Sequence, residues 1–128
     1  MPDLRAAVIG TGFVGRAYLD AMRRLAVPIA GILGSSAERG KEVCQPLRIP
    51  RACESLAETP SDPAVDVGTF ARPTISTSQV STLLRAGKNV LCEKPLAMDT
   101  TQSAALVDLA HSEGRVGGVS YNLRYYPR

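Results

Sequence analysis

Three glycines near the amino terminus have the spacing of a loop that holds phosphate. Residues 10 to 15 read Gly10-Thr11-Gly12-Phe13-Val14-Gly15 and match the pattern G-x-G-x-x-G. The first glycine permits a tight turn, the second lets the backbone approach a pyrophosphate, and the third lets a helix pack closely on a strand. The N–H groups that begin the helix would bind the pyrophosphate. We predict a dinucleotide site here, although such glycines also occur in unliganded turns.

A second group of reactive residues, Glu93-Lys94-Pro95, follows the apolar run NVLC. A lysine at the carboxyl end of a parallel strand lies where ligands bind in a doubly wound sheet. It can polarise a carbonyl or stabilise an alkoxide beside a nicotinamide ring. We predict Lys94 as a catalytic residue, while a Glu-Lys-Pro turn is also an ordinary surface feature.

Hydroxyls and a guanidinium follow the second apolar run, in Gly34-Ser35-Ser36 and Arg39. An NAD site usually has an acidic residue about 20 positions after the glycine loop. Its replacement by Ser35, Ser36 and Arg39 favours NADP over NAD, since these groups suit an additional phosphate. The alternative, that Ser36 caps a helix and Arg39 is a surface cation, stays open.

These groups lie between segments in which apolar runs alternate with residues at helical spacing. Apolar runs at 4–9, 27–33, 51–53, 64–67, 89–95 and 116–122 predict strands. Helical spacing at 13–25, 38–47, 78–85 and 100–114 predicts helices, the last one capped by Thr100 or Thr101, and residues 55–58 predict one helical turn. The alternation predicts an α/β fold with a doubly wound parallel sheet.

Taken together, VIGTGFVG, AGKNVLCEKPLA and YNLRYYP resemble the Gfo/Idh/MocA family of NAD(P)-dependent oxidoreductases, and GILGSSAER and SDPAVDV are similar to it as well. The resemblance implies a Rossmann domain over 1–128 and hydride transfer between a nicotinamide and a sugar, cyclitol or related hydroxyl carbon. It implies that Gly10, Gly12 and Gly15 form the pyrophosphate loop and that Lys94 links substrate and nicotinamide. Residues implied to shape that turn or border the substrate pocket are Glu93, Pro95, Asn122 and Arg124.

The resemblance also implies a larger second α/β domain that supports homo-oligomerisation and carries an Asp and a His of the catalytic centre. Those residues have no position in this chain, so we do not expect these 128 residues alone to transfer hydride. A non-catalytic NAD(P)-sensing or interaction module is the alternative. A methyltransferase that uses S-adenosylmethionine is a third class, which the Ser35-Ser36 pair disfavours because such sites usually carry an acid there.

Residues 66–80, DVGTFARPTISTSQV, depart from the family, whose members typically have an apolar strand followed by ATPNxxH. One choice of degenerate third bases for residues 68–78 encodes a family-like TPNxxH loop in another frame. We therefore interpret residues 68–78 as a local frameshift, with divergence as the alternative. We expect Arg72 and the neighbouring Thr and Ser side chains to be desolvated or to end the strand early, giving marginal stability and a weakened nicotinamide side.

Composition limits the remaining function classes. The chain has 128 residues, which suits one core, and a net charge of +3 from interleaved basic and acidic residues. With 5% aromatic residues and no Trp, nucleic-acid binding is disfavoured. The isolated Cys44, Cys53 and Cys92 predict no metal site and a reducing cytoplasm. No run approaches the roughly 18 apolar residues of a membrane span, so we expect no membrane partner.

Overall fold

The computed structural model describes residues 3–72 and 76–127, in which helices cover both faces of a six-stranded parallel sheet. The strands are β1 (Ala6–Ile9), β2 (Ile29–Leu33), β3 (Ala52–Cys53), β4 (Val67–Phe70), β5 (Asn89–Glu93) and β6 (Gly117–Ser120). The helices are α1 (Phe13–Arg24), α2 (Ala37–Leu47), α3 (Glu58–Ser61), α4 (Thr77–Arg85) and α5 (Thr100–Ser112), and a 3₁₀ helix covers Asn122–Tyr125.

The strand order is β3-β2-β1-β4-β5-β6, and every neighbouring pair is parallel. The chain runs outward from β1 to β3 and then crosses back to place β4 on the other side of β1. The predicted doubly wound sheet is therefore confirmed. In such a sheet, ligands bind outside the carboxyl ends of the strands where the order reverses, which here lies between β1 and β4.

Successive residues of the central strands supply two separate cores. Val8 and Ile32 pack with residues of α1 and α2 on one face, whereas Ile9 and Leu33 pack with α4 and α5 on the other. Burial on both faces explains why these strands read as continuous apolar runs rather than as alternating ones.

The fourth strand differs from the prediction. It covers Val67–Phe70, so it begins and ends three residues later than the predicted strand at 64–67. Gly68 fits because a Cβ there would lie 2.5 Å from Cδ1 of Leu83, and Phe70 is fully buried. The frameshift hypothesis for residues 68–78 stays a prediction that reading the coding DNA would test, and its residues 73–75 lie outside the described ranges.

Desolvation of polar groups does occur in this strand. The Thr69 side chain is fully buried in β4, and its Oγ1 has no hydrogen-bond partner. A buried hydroxyl without a partner lowers the stability of the folded state. The polar residues of this stretch were expected either to be desolvated or to end the strand early. Thr69 is desolvated, and the strand continues past it.

The helices differ from the prediction at two places. Asp99 caps α5, its Oδ1 accepting from the Gln102 N–H at 2.8 Å, so the prediction of Thr100 or Thr101 is wrong. The single turn predicted at 55–58 forms at α3 instead. By contrast, α2 ends at Leu47 as predicted, with Pro46 in its last turn. Within the two described ranges, no helix has both the length and the apolar character needed to cross a bilayer.

Candidate functional site

A cleft of about 730 Å³ opens at the carboxyl ends of β1, β2 and β4. It therefore lies where the strand order reverses, at the position that the topology favours for a ligand. The residues lining it include most of the predicted glycine loop and three arginines: Gly10, Thr11, Gly12, Phe13, Val14, Arg16, Leu33, Gly34, Ser35, Arg39, Val43, Ala71 and Arg72.

Each glycine of the loop has a distinct steric environment. Gly10 has φ +117°, and a Cβ there would lie 2.9 Å from the Ala71 carbonyl oxygen. A Cβ on Gly15 would lie 2.0 Å from the Gly10 carbonyl oxygen, so α1 packs against the loop only because Gly15 has no side chain. A Cβ on Gly12 would meet no atom within 4 Å. The space beside Gly12 is thus open to a ligand, as the sequence pattern predicts.

The start of α1 offers unpaired backbone donors to this cleft. Gly12 is the N-cap residue and has no side chain to accept from the first turn, which also lacks acidic residues. The first N–H groups of a helix have no partners within the helix, and the aligned peptide dipoles make this end positive. Phe13 and Val14 line the cleft, so these donors are placed where a phosphate group could accept from them.

The side chains lining the cleft carry only positive charge. Arg16, Arg39 and Arg72 line it, and no Asp or Glu is among the described lining residues. The sequence patterns did not indicate Arg16 and Arg72 as site residues. Arg72 could have been found from topology alone, because it follows the strand next to β1 at the edge where ligands bind.

The residues predicted to favour NADP occupy two different positions. Ser35 and Arg39 line the cleft, and the Arg39 guanidinium also lies 3.3 Å from Oε2 of Glu42 in an exposed ion pair. Ser36 is the N-cap of α2, its Oγ accepting from the Arg39 N–H at 3.2 Å. Because a capping hydroxyl is already engaged by the backbone, Ser35 and Arg39 are better placed than Ser36 to meet a ribose phosphate.

Glu93, Lys94 and Pro95 follow β5 at the same sheet edge, but none of the three lines the cleft. Lys94 and Pro95 are exposed and are joined by a cis peptide bond. Glu93 is half-buried, and its Oε1 accepts a hydrogen bond of 2.6 Å from the Tyr18 hydroxyl on α1. Burial and this bond raise the pKa of Tyr18 to about 12. No sequence pattern indicates a role for Tyr18, since a tyrosine on an amphipathic helix is typical of a residue that packs against the core.

Asn122 and Arg124 lie in the 3₁₀ helix that follows β6, and both are exposed. Since β6 pairs with β5 in parallel, these two residues share the carboxyl edge with Lys94. The structure thus gathers the predicted catalytic and substrate-binding residues at one edge of the sheet. They form a group separate from the lining of the cleft.

The groups around the cleft fit a dinucleotide and do not resemble a metal centre. Open space beside Gly12, unpaired N–H groups and three guanidiniums are the features that a pyrophosphate requires. In the described part of the chain, no three His, Cys, Asp or Glu residues are grouped so as to hold a metal ion. Cys44, Cys53 and Cys92 are buried free thiols, and burial raises the pKa of Cys92 to about 11.

Comparison with known proteins agrees with a dinucleotide site in this cleft. Residues 4–121 match the family described as "Oxidoreductase family, NAD-binding Rossmann fold" (GFO_IDH_MocA). The chain is 33% identical over 122 residues to the 1,5-anhydro-D-fructose reductase of Ensifer adhaerens, covering 94% of this chain and 37% of that protein. It is 30% identical over 131 residues to the UDP-N-acetylglucosamine 3-dehydrogenase of Acidithiobacillus ferrooxidans, covering 99% of this chain and 40% of that protein.

A solved structure adds a ligand-bound comparison. Levoglucosan dehydrogenase in complex with NADH and levoglucosan has a TM-score of 0.85 and 25% identity, over 94% of this chain and 35% of that chain. The chain therefore spans about two fifths or less of the length of each of these proteins.

Proposed function

The chain belongs to the Gfo/Idh/MocA family of oxidoreductases, and from this membership we propose that it is the NAD(P)-binding domain of a carbohydrate-type dehydrogenase or reductase. The reaction is hydride transfer between a nicotinamide and a hydroxyl carbon of a sugar, cyclitol or related compound. The similarity to a sugar reductase and a sugar-nucleotide dehydrogenase supports that substrate class. For these 128 residues the proposal is cofactor binding, and hydride transfer is proposed for the whole protein.

The observation that carries this proposal is the open space beside Gly12 at the start of α1. A pyrophosphate placed there would accept from the unpaired N–H groups of the first turn and would meet no side chain. The positive end of α1 and the three arginines stabilise its negative charge. Thr11, Phe13 and Val14 complete the wall of this phosphate site.

Lys94 is proposed as the residue that acts on the substrate. When bound, the nicotinamide supplies or accepts the hydride. The Lys94 ammonium, at the carboxyl end of β5, would donate a hydrogen bond to the substrate oxygen and so stabilise the negative charge that develops on it. Glu93 and Pro95 shape the turn that presents Lys94, and Asn122 and Arg124 border the substrate at the same edge.

The preferred cofactor is proposed to be NADP. Ser35 and Arg39 line the cleft beyond β2, where the adenosine ribose binds in this fold. A guanidinium and a hydroxyl donate to a 2′-phosphate, while a carboxylate at this position would repel it. The ion pair of Arg39 with Glu42 is exposed and therefore weak, so a phosphate could displace it at small cost.

We further propose that the whole protein is a cytoplasmic homo-oligomer that binds neither nucleic acid nor a membrane. Three buried free thiols fit a reducing compartment. Size-exclusion chromatography with light scattering on the whole protein tests the oligomeric state, and a single-chain mass would refute it.

Calorimetric titration of the chain with NADPH and NADH tests the cofactor proposal directly. We expect both to bind and NADPH to bind more tightly. Tighter binding of NADH would refute the NADP preference, and absence of binding by both would refute the cofactor site. A panel of sugars and cyclitols, with nicotinamide absorbance as the readout, then tests the whole protein. Cofactor binding without oxidation or reduction of any member would instead indicate a sensing module.

A further inference from the structure

We propose that Arg72 binds the pyrophosphate of the dinucleotide, on the phosphate that carries the nicotinamide ribose. The inference rests on the proposed function, because it requires that the cleft hold NAD(P). It concerns the chain as its sequence stands, with Arg72 present, whether a frameshift or divergence produced residues 68–78. It adds a specific cofactor contact from β4, on the opposite side of the glycine loop from Ser35 and Arg39.

Arg72 is close to the first glycine of the loop. It is the second residue after β4, and β4 pairs in parallel with β1, which leads into Gly10. A Cβ built on Gly10 would lie 3.5 Å from the Cβ of Arg72. Both residues line the same cleft. The Arg72 side chain therefore starts beside the loop that would hold the pyrophosphate.

The Arg72 guanidinium is partly desolvated and has a neutral partner. Its Nη2 donates to Oε1 of Gln79 at 2.9 Å, and its Nε is buried without a hydrogen-bond partner. No carboxylate among the described residues lies within ion-pair distance of it. Four other arginines pair with a carboxylate, and the remaining described arginines that lack one are exposed to solvent, whereas Arg72 is partly buried. A partly buried cation without an anion is unfavourable, so this site favours an anionic ligand.

The topology indicates which phosphate Arg72 would meet. In this fold the adenosine half of the dinucleotide lies over the end of β2, where Ser35 and Arg39 are found. The nicotinamide half extends to the other side of β1, which is the side of β4 and Arg72. Gln79 accepts only from Nη2, which leaves other N–H groups of the guanidinium that could donate to phosphate oxygens.

A series of partial ligands tests this assignment by calorimetry. The series is adenosine 2′,5′-bisphosphate, 2′-phospho-ADP-ribose and NADP⁺, or AMP, ADP-ribose and NAD⁺ if the unsubstituted chain prefers NAD. The first member of each series lacks the nicotinamide-side phosphate. For Arg72→Gln we expect affinity for the second and third members to fall by about 10-fold or more, with no change for the first.

Two further variants show whether the losses of affinity come from the Arg72 guanidinium. Arg72→Lys keeps the charge but loses the fork of donors, so we expect a smaller loss on the same two ligands. A thermal melt shows whether Arg72→Gln folds, and if it does not, Arg72→Lys takes its place as the test variant. Arg39→Gln is the matched control, and in the 2′-phosphorylated series it should weaken all three ligands, adenosine 2′,5′-bisphosphate included.

The results of these titrations distinguish a failure of the Arg72 assignment from a failure of the proposed cofactor site. Unchanged affinity of the Arg72 variants for all three ligands would overturn the Arg72 assignment. So would equal losses on all three, because Arg72 would then act on the adenosine side or on the fold. If the unsubstituted chain binds no member of either series, the proposed cofactor site itself is refuted, and the role of Arg72 is refuted with it.

Discussion

The hydroxyl of Tyr18 on α1 donates a 2.6 Å hydrogen bond to Oε1 of Glu93 at the end of β5. This bond joins two parts of the candidate site that are 75 residues apart in sequence. The first turn of α1 borders the cofactor cleft, and Glu93 directly precedes Lys94. Tyr18 is therefore suited to fix the turn that presents Lys94 relative to the glycine loop.

Tyr18→Phe should lower the free energy of unfolding by about 1 kcal/mol, because the half-buried Glu93 carboxylate loses a hydrogen-bond donor while the ring is kept. Urea denaturation measures the change. Tyr125→Phe is the matched control, since Tyr125 is 82% exposed and should give no measurable change. Equal stability of the two variants would show that the Tyr18–Glu93 bond contributes nothing to folding.

The ionisation of the Tyr18 phenol should lower the stability of the protein at alkaline pH. Desolvation, together with the Glu93 bond, raises the pKa of Tyr18 to about 12, against about 10 in an unfolded chain. The folded state therefore favours the neutral phenol. Its contribution to stability is fully present below about pH 10 and is lost as the pH rises from about 10 towards 12.

Ultraviolet titration of phenolate formation measures this directly. Tyr18 should ionise in a phase near pH 12, and Tyr18→Phe should remove that phase. A single phase with the same midpoint in both proteins would contradict the raised pKa.

The sequence sufficed to predict the fold because its strands are buried on both faces and its glycine loop follows the first of them. It did not suffice at β4, where Gly68 and Thr69 look unlike a buried strand. There the determining fact is tertiary: Leu83 of α4 fills the space that a side chain at Gly68 would need. Tyr18 was missed for a related reason, since its partner Glu93 is distant in sequence.

Thr69→Val should stabilise the protein by about 1 kcal/mol. The replacement has nearly the same shape, suits a strand, and removes the buried Oγ1 that lacks a partner. Thr69→Ser is the contrasting variant, because it keeps the hydroxyl and loses the methyl group, and it should destabilise. Chemical denaturation of the three proteins gives the order. A Thr69→Val protein less stable than the unsubstituted chain would mean that the hydroxyl has a partner, such as a bound water molecule.

Glu58 should contribute to the loss of stability in acid. Its Oε2 accepts from the Arg51 guanidinium and its Oε1 from the N–H groups of Glu54 and Ser55. These bonds, that of Arg51 above all, hold the pKa of Glu58 below its usual value. Its contribution is therefore present above the unfolded pKa of about 4.3 and is lost as the pH falls through the lower folded value.

Glu58→Gln should accordingly flatten the dependence of stability on pH below about 5, because the titrating group is gone. Unfolding free energies measured at several acidic pH values test this. Glu113→Gln, at an exposed glutamate that follows α5, is the control and should keep the slope of the unsubstituted protein. The same slope in the Glu58 variant would exclude this carboxylate as a contributor.

Two glycines of the same loop should respond to alanine in opposite ways. Gly15→Ala should destabilise the fold by about 2 kcal/mol, since its Cβ would lie 2.0 Å from the Gly10 carbonyl oxygen and α1 must shift to relieve the clash. Gly12→Ala meets no protein atom within 4 Å, so its melting temperature should stay close to that of the unsubstituted chain. Its methyl group would instead occupy the space proposed for the pyrophosphate, and NADPH affinity should fall by about 10-fold or more. Melting curves and calorimetric titration of both variants separate the two effects. A Gly12→Ala protein that melts normally and binds NADPH as tightly as the unsubstituted chain would show that the pyrophosphate does not rest on this loop.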